Sequence, residues 1–136
     1  MAQRQVLLVE DEPHIAEAIR FILTHAGWSV TVEPNGGAAM ARIGALRPAA
    51  VILDLMLPGR SGIEILTDLR ADPALGGTPV LMLTARGQGR DREAAERAGA
   101  TAFLAKPFAN GDVLAALETI AGSGVTEAAP ARAAGR

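Results

Sequence analysis

The run Ala50-Val51-Ile52-Leu53-Asp54 constrains the fold of this chain more than any other stretch. It is apolar without alternation and closes on a carboxylate. Leu55-Met56-Leu57 then leads to a Pro58-Gly59 break. A strand with no polar alternation is buried on both faces, as the strands of parallel sheets are. An acid in such a run must be hydrogen-bonded, metal-bound or at the strand's end, because burying a bare carboxylate is prohibitive.

The same grammar repeats along the chain. Gln5 to Val9 is an apolar strand ending in Glu10-Asp11-Glu12-Pro13, where the acids and Pro13 suit the start of a helix. Ile15, Ile19, Ile22 and Leu23 form one helical stripe, closed by Gly27. Trp28 to Val32 alternates with period two, which predicts an edge strand with Trp28 in edge packing. A helix is predicted over 37–46, with Met40, Ile43 and Leu46 inward. A third carries Ile63, Leu66, Ile65 and Leu69 and ends near Asp72-Pro73. Val80 to Thr84 is a fourth strand. The helix over Asp91 to Ala98 is mostly Ala, Arg and Glu and is predicted to be weakly anchored. Thr101 to Leu104 is a fifth strand, and Val113, Leu114, Leu117 and Ile120 mark a last helix. Residues 122–136 turn to Gly, Ser, Ala, Pro and Arg without periodicity and read as a flexible tail or linker stub.

Strand and helix thus alternate five times. This predicts an α/β fold, a (βα)5 three-layer sandwich with a parallel sheet and helices on both faces. The order 2-1-3-4-5 of flavodoxin-like folds accommodates the alternating second strand at one edge. The chain has 136 residues, fitting one domain. Its 13 Lys and Arg stand against 15 Asp and Glu, which argues against direct nucleic-acid binding. The absence of cysteine excludes disulfides and thiolate chemistry. With no signal peptide and no stretch long enough to span a bilayer, the sequence reads as soluble and cytoplasmic.

Parallel strands align their carboxyl ends along one edge of the sheet, where ligands bind. Strand 1 ends at Glu10 and Asp11, strand 3 at Asp54, strand 4 at Thr84 and strand 5 near Lys106. In the order 2-1-3-4-5 these strands are neighbours, with Asp54 in the middle. Carboxylates so close repel, and a divalent cation relieves the repulsion. Hard oxygen ligands point to Mg2+, with Mn2+ as a substitute, and not to zinc. The ammonium and the hydroxyl are then left as donors for an anion such as a phosphoryl group. A carboxylate can itself be the acceptor, giving an aspartyl-phosphate.

Four motifs now resemble one family. They are Val9-Glu10-Asp11-Glu12-Pro13; Leu53-Asp54-Leu55-Met56-Leu57-Pro58-Gly59 with Ser61-Gly62 following; Leu83-Thr84-Ala85-Arg86; and Lys106-Pro107-Phe108. In register with five strands, they are similar to the receiver domains of two-component response regulators over residues 4–121. The resemblance implies that Asp54 accepts a phosphoryl group from a histidine kinase or His phosphotransfer protein. It implies that Asp11 binds Mg2+ directly, Glu10 through water, and that Asp54 and the Met56 carbonyl complete the site. Thr84 and Lys106 would each hold a phosphoryl oxygen, and the Lys106-Pro107 bond would be cis. Thr84 and Phe103 would form the switch that remodels the surface of helix 4, strand 5 and helix 5. Met56 and Arg86 would tune the phosphate lifetime, and neither is a carboxylate or amide that could orient an attacking water.

On this reading the chain is not an enzyme beyond self-directed phosphoryl transfer and hydrolysis. An aspartyl phosphatase would carry a second acid at the place of Met56. A flavodoxin-like cofactor binder would have a hydroxyl-rich loop where Glu10-Asp11-Glu12 stands. The intact acids, Thr84 and Lys106 also argue against a degenerate receiver. The expected partners are the phosphodonor and a downstream output protein or output domain. The resting form is expected to be a monomer, with phosphorylation a route to a dimer. His14 and His25 read as surface or helix-end histidines, and Arg90, Arg92 and Arg97 as a solvated face with an interface role as the alternative.

Overall fold

The computed structural model describes residues 4–84 and 89–123. Five strands, β1 (Gln5–Val9), β2 (Ser29–Glu33), β3 (Ala50–Asp54), β4 (Val80–Thr84) and β5 (Ala102–Ala105), form one sheet of order β2-β1-β3-β4-β5. Every pairing is parallel. Five helices connect them: α1 (Pro13–His25), α2 (Ala39–Leu46), α3 (Gly62–Ala71), α4 (Gly89–Ala98) and α5 (Asn110–Ser123). The architecture is the flavodoxin-like one that the sequence predicts. Among the described residues, no helix is long and apolar enough to cross a membrane.

Successive side chains of a strand point to opposite faces, and the core divides accordingly. Val6, Leu8, Ile52 and Leu81 pack with Ile19 and Leu23 of α1 and Leu117 of α5. Leu7, Val9, Val51, Leu53 and Met82 pack with Ile43 of α2 and Ile65, Leu66 and Leu69 of α3. Ala95 is the buried residue of α4, in keeping with the weak anchoring expected of that helix.

Two local readings need correction. The alternation of β2 does not appear as alternating burial: Ser29 to Val32 are all half-buried, and Trp28 lies before the strand, 1% exposed in the core beneath α1. An edge strand receives partial cover from both sides, so its pattern is blurred. The helix predicted from Gly37 begins instead as a 3-10 turn, Gly36–Ala38, and becomes α-helical at Ala39.

At the sheet edge away from Asp54, Arg70 of α3 ties three segments together. Its guanidinium donates to the carbonyls of Gly99 (2.8 Å), Gly76 (2.9 Å) and Thr78 (2.7 Å) and to Thr101 Oγ1 (3.3 Å). Arg70→Met keeps the aliphatic stem but strips those carbonyls of a donor. A loss of about 2 kcal/mol is expected, read as a lower urea midpoint at unchanged slope.

Candidate functional site

The parallel register brings the polar strand ends together. Val9 lies beside Leu53, Asp54 beside Leu83, and Thr84 beside Ala105, so the residues at and just past these positions share one edge. Helix α1 begins with Glu12 as its cap, its carboxylate accepting from His14 N at 2.7 Å and Ile15 N at 3.3 Å. The three acids after β1 therefore divide: Glu12 serves the helix, while Glu10 and Asp11 face Asp54. Helix α3 starts against the backbone of Asp54. A Cβ on Gly62 would lie 2.5 Å from the Asp54 carbonyl oxygen and 2.9 Å from Leu55 Cα, so only glycine fits there.

Glu10, Asp54 and Thr84 are buried, and Asp11 is exposed. One carboxylate oxygen from each of Glu10, Asp11 and Asp54 can be drawn from a group lying within 4.8 Å of one another. Asp54 Oδ2 accepts from Lys106 Nζ at 2.8 Å, and Oδ1 accepts from the Met56 backbone N–H at 3.2 Å. Lys106 Nζ also stands 3.6 Å from Glu10 Oε1. Glu10 Oε2 accepts from Glu12 N at 3.1 Å, whereas the buried Oε1 has no hydrogen-bond partner among the described residues.

The charges respond to this crowding. Burial first, then the neighbouring Asp54 carboxyl, pushes the Glu10 carboxyl up to about 7, against the pull of the Glu12 N–H and Lys106. For Lys106, burial acts to lower its pKa, but its hydrogen bond and charge pairing with Asp54, and then Glu10, outweigh it and raise the group above its ordinary value. The ligand set is three carboxylates, one of whose buried oxygens lacks a hydrogen-bond donor among the described residues. It fits a hard divalent cation, which would add positive charge to a group of three carboxylates where Lys106 pairs with Asp54 and Glu10.

The other predicted residues fall as follows. The Met56 side chain is exposed beside the site, while its N–H holds Asp54. The Lys106-Pro107 peptide is cis. Phe103 is half-buried on β5 opposite Met82, and the Arg92 guanidinium lies 5.1 Å from its ring centroid, so Arg92 is more than part of a solvated face. Arg86 lies outside the described residues. His14 and His25 are exposed on α1, with His25 against Phe21, 4.5 Å between ring centroids. Sequence reasoning missed Glu33, a buried carboxylate ending β2 that pairs with Arg42 at 3.1 Å. Its partner lies on another element, so no local spacing announces it.

The model of the response regulator receiver domain matches residues 6–118. This chain belongs to that family. The receiver is 39% identical over 115 residues to the probable transcriptional regulatory protein TcrX of Mycobacterium tuberculosis, a match covering 85% of this chain and 48% of that protein. It is 38% identical over 106 residues to the DNA-binding response regulator MtrA of Mycolicibacterium smegmatis, covering 78% of this chain and 45% of that protein. The chain spans about half the length of the curated relatives it matches. Among solved structures it resembles the receiver domain of a sensor histidine kinase from Pseudomonas aeruginosa, which holds a magnesium ion in its active site cleft. That match has a TM-score of 0.82 and 32% identity and covers 90% of this chain and 100% of that one.

Proposed function

We propose that residues 4–121 form a phosphoacceptor switch in which Asp54 takes a phosphoryl group from a phosphohistidine of a histidine kinase or His phosphotransfer protein. The observation that carries this reading is the meeting of Asp54 with Lys106 at 2.8 Å beside the carboxylates of Glu10 and Asp11. An Asp54 carboxylate oxygen attacks phosphorus, the phosphorus–nitrogen bond of the donor breaks, and the leaving imidazole takes up a proton. The ammonium of Lys106 pairs with one phosphoryl oxygen, and the Thr84 hydroxyl donates to another. Glu10, Asp11, Asp54 and the Met56 carbonyl would hold Mg2+, which offsets the negative charge gathered there when bound.

Movement of Thr84 toward the phosphoryl group and rotation of Phe103 behind it then alter the face made by α4, β5 and α5. The scarcity of buried residues on α4 supports its being the part that moves. The tail or linker expected over residues 122–136 lies outside the described residues, except for Gly122 and Ser123, which close α5. The output is a separate protein or an output domain in a longer chain, a reading supported by the name of MtrA as a DNA-binding regulator. The receiver is cytoplasmic, does not itself bind nucleic acid, and is monomeric at rest.

Incubation with acetyl phosphate and Mg2+ tests this. The intact mass is expected to rise by one phosphate and then decay. Sustained turnover of unrelated phosphate esters would instead make the protein a phosphatase, and no incorporation would make it a receiver that signals without phosphate.

A further inference from the structure

The turn between β2 and α2 donates no group to the site, yet it touches two of the connections that do, β1–α1 and β3–α3. Glu33 begins the connection: its backbone carbonyl accepts from Glu10 N at 3.2 Å. Its carboxylate is fixed on both oxygens, Oε2 accepting from Asn35 N at 3.0 Å and Oε1 pairing with Arg42 Nε at 3.1 Å. Asn35 Oδ1 in turn accepts from Gly37 N at 2.8 Å. The turn then meets the β3–α3 loop backbone to backbone, with Gly36 N donating to the Pro58 carbonyl at 3.2 Å.

No side chain fits between the two loops. A Cβ on Gly36 would lie 2.6 Å from the Arg60 carbonyl oxygen and 3.1 Å from that of Pro58. On the other side Gly59, at φ +84, would place a Cβ 2.8 Å from Asn35 Oδ1 and 3.2 Å from Gly37 N. Most of these neighbours are backbone atoms, which cannot swing aside as the end of a flexible side chain does. Met56 lies two residues before Pro58 in the same short loop.

We propose that Gly36 and Glu33 are positioning residues. The β2–α2 turn braces the β3–α3 loop, and so the Met56 carbonyl, at a fixed distance from Glu10 and Asp11. The inference rests on the phosphoacceptor reading, because the distance matters only if a cation bridges the two loops. Supporting groups of this kind tune affinity without touching the metal.

Two readouts test the brace in the full chain: Mg2+ affinity by titration calorimetry, and amide hydrogen exchange at residues 56–60 without metal. Gly36→Ala is expected to weaken Mg2+ binding about tenfold and to speed exchange in that loop. Glu33→Ala should move both readouts the same way by a smaller factor, and Glu33→Gln, which keeps an acceptor for Asn35 N, should restore most of the loss. Gly44→Ala, on a part of α2 with open space around it, is the control and should leave both unchanged. A folded Gly36→Ala protein with wild-type affinity and exchange would overturn the brace. Should Gly36→Ala fail to fold, wild-type values for Glu33→Ala would overturn it equally. If the wild type itself bound no Mg2+, the phosphoacceptor reading would fail, while the exchange comparison would still decide whether the turn holds the loop.

Discussion

Asp54→Asn is expected to take up no phosphate from acetyl phosphate, and Lys106→Met to take it up about 100-fold more slowly than wild type. The amide of Asn lacks the charge and nucleophilicity of the carboxylate, so the first substitution removes the acceptor. The second removes a donor aimed at developing phosphoryl charge. Met preserves most of the volume of the Lys106 stem, so the effect falls on the charge. In the metal-free protein the same change leaves Asp54 and Glu10 without the ammonium that stands 2.8 Å and 3.6 Å from their oxygens. Breaking a fully buried pair costs roughly 3–5 kcal/mol. The Lys106 side chain is 28% exposed, and water shares the load, so about 2 kcal/mol is expected. Because the Lys106 pKa is raised above 10.5, the stabilisation is fully present below 10.5 and is lost only as pH rises through the higher folded value. The lysine itself stays charged up to about pH 9, so the deficit should be level above about pH 8 and shrink below about pH 7, where Glu10 takes up its proton and leaves only the Asp54 pairing. Urea unfolding with a chelator present measures it, and Mg2+ should reduce it.

The metal-free protein is expected to lose stability from pH 5 to pH 8, and Glu10→Gln to abolish most of that slope. The Glu10 carboxyl goes from 4.5 in the unfolded chain to about 7 in the folded one. Between these values the folded state holds a proton that the unfolded state has released, so stability falls as pH rises. The contribution is complete below 4.5 and is gone once pH passes through about 7. A shift of that size corresponds to roughly 3 kcal/mol. Gln is the neutral isostere and carries no such dependence. Identical pH profiles for the two proteins would remove Glu10 as the source.

The site was readable from sequence to the extent that a parallel sheet makes it so. In such a sheet the polar residue closing each apolar run must arrive at one edge, so Glu10, Asp11, Asp54, Thr84 and Lys106 could be named from position alone. The order of the strands was compatible with the apolar pattern but not dictated by it: β5 is apolar throughout and still lies at an edge. What stayed hidden depends on contacts between elements. Glu33 meets Arg42 only because β2 and α2 fold against each other. Arg70 drew no reading from the sequence, because its four acceptors lie in the α3–β4 and α4–β5 connections. The late start of α2 reflects Gly36 passing against Pro58 and Arg60, a constraint no propensity contains. Trp28 reads as edge packing because its neighbours alternate, but its indole is drawn under α1 into the core.

The central claim is that four strand ends make Asp54 the acceptor of a Mg2+-dependent phosphoryl transfer. Reducing the acetyl phosphate-treated protein with borohydride, then mapping the modified residue by peptide mass spectrometry, tests it directly. The modification is expected on Asp54 alone, with Mg2+ present and not with a chelator. Modification at Asp11, at Glu10 or elsewhere, or equal labelling of Asp54 in chelator, would contradict the account.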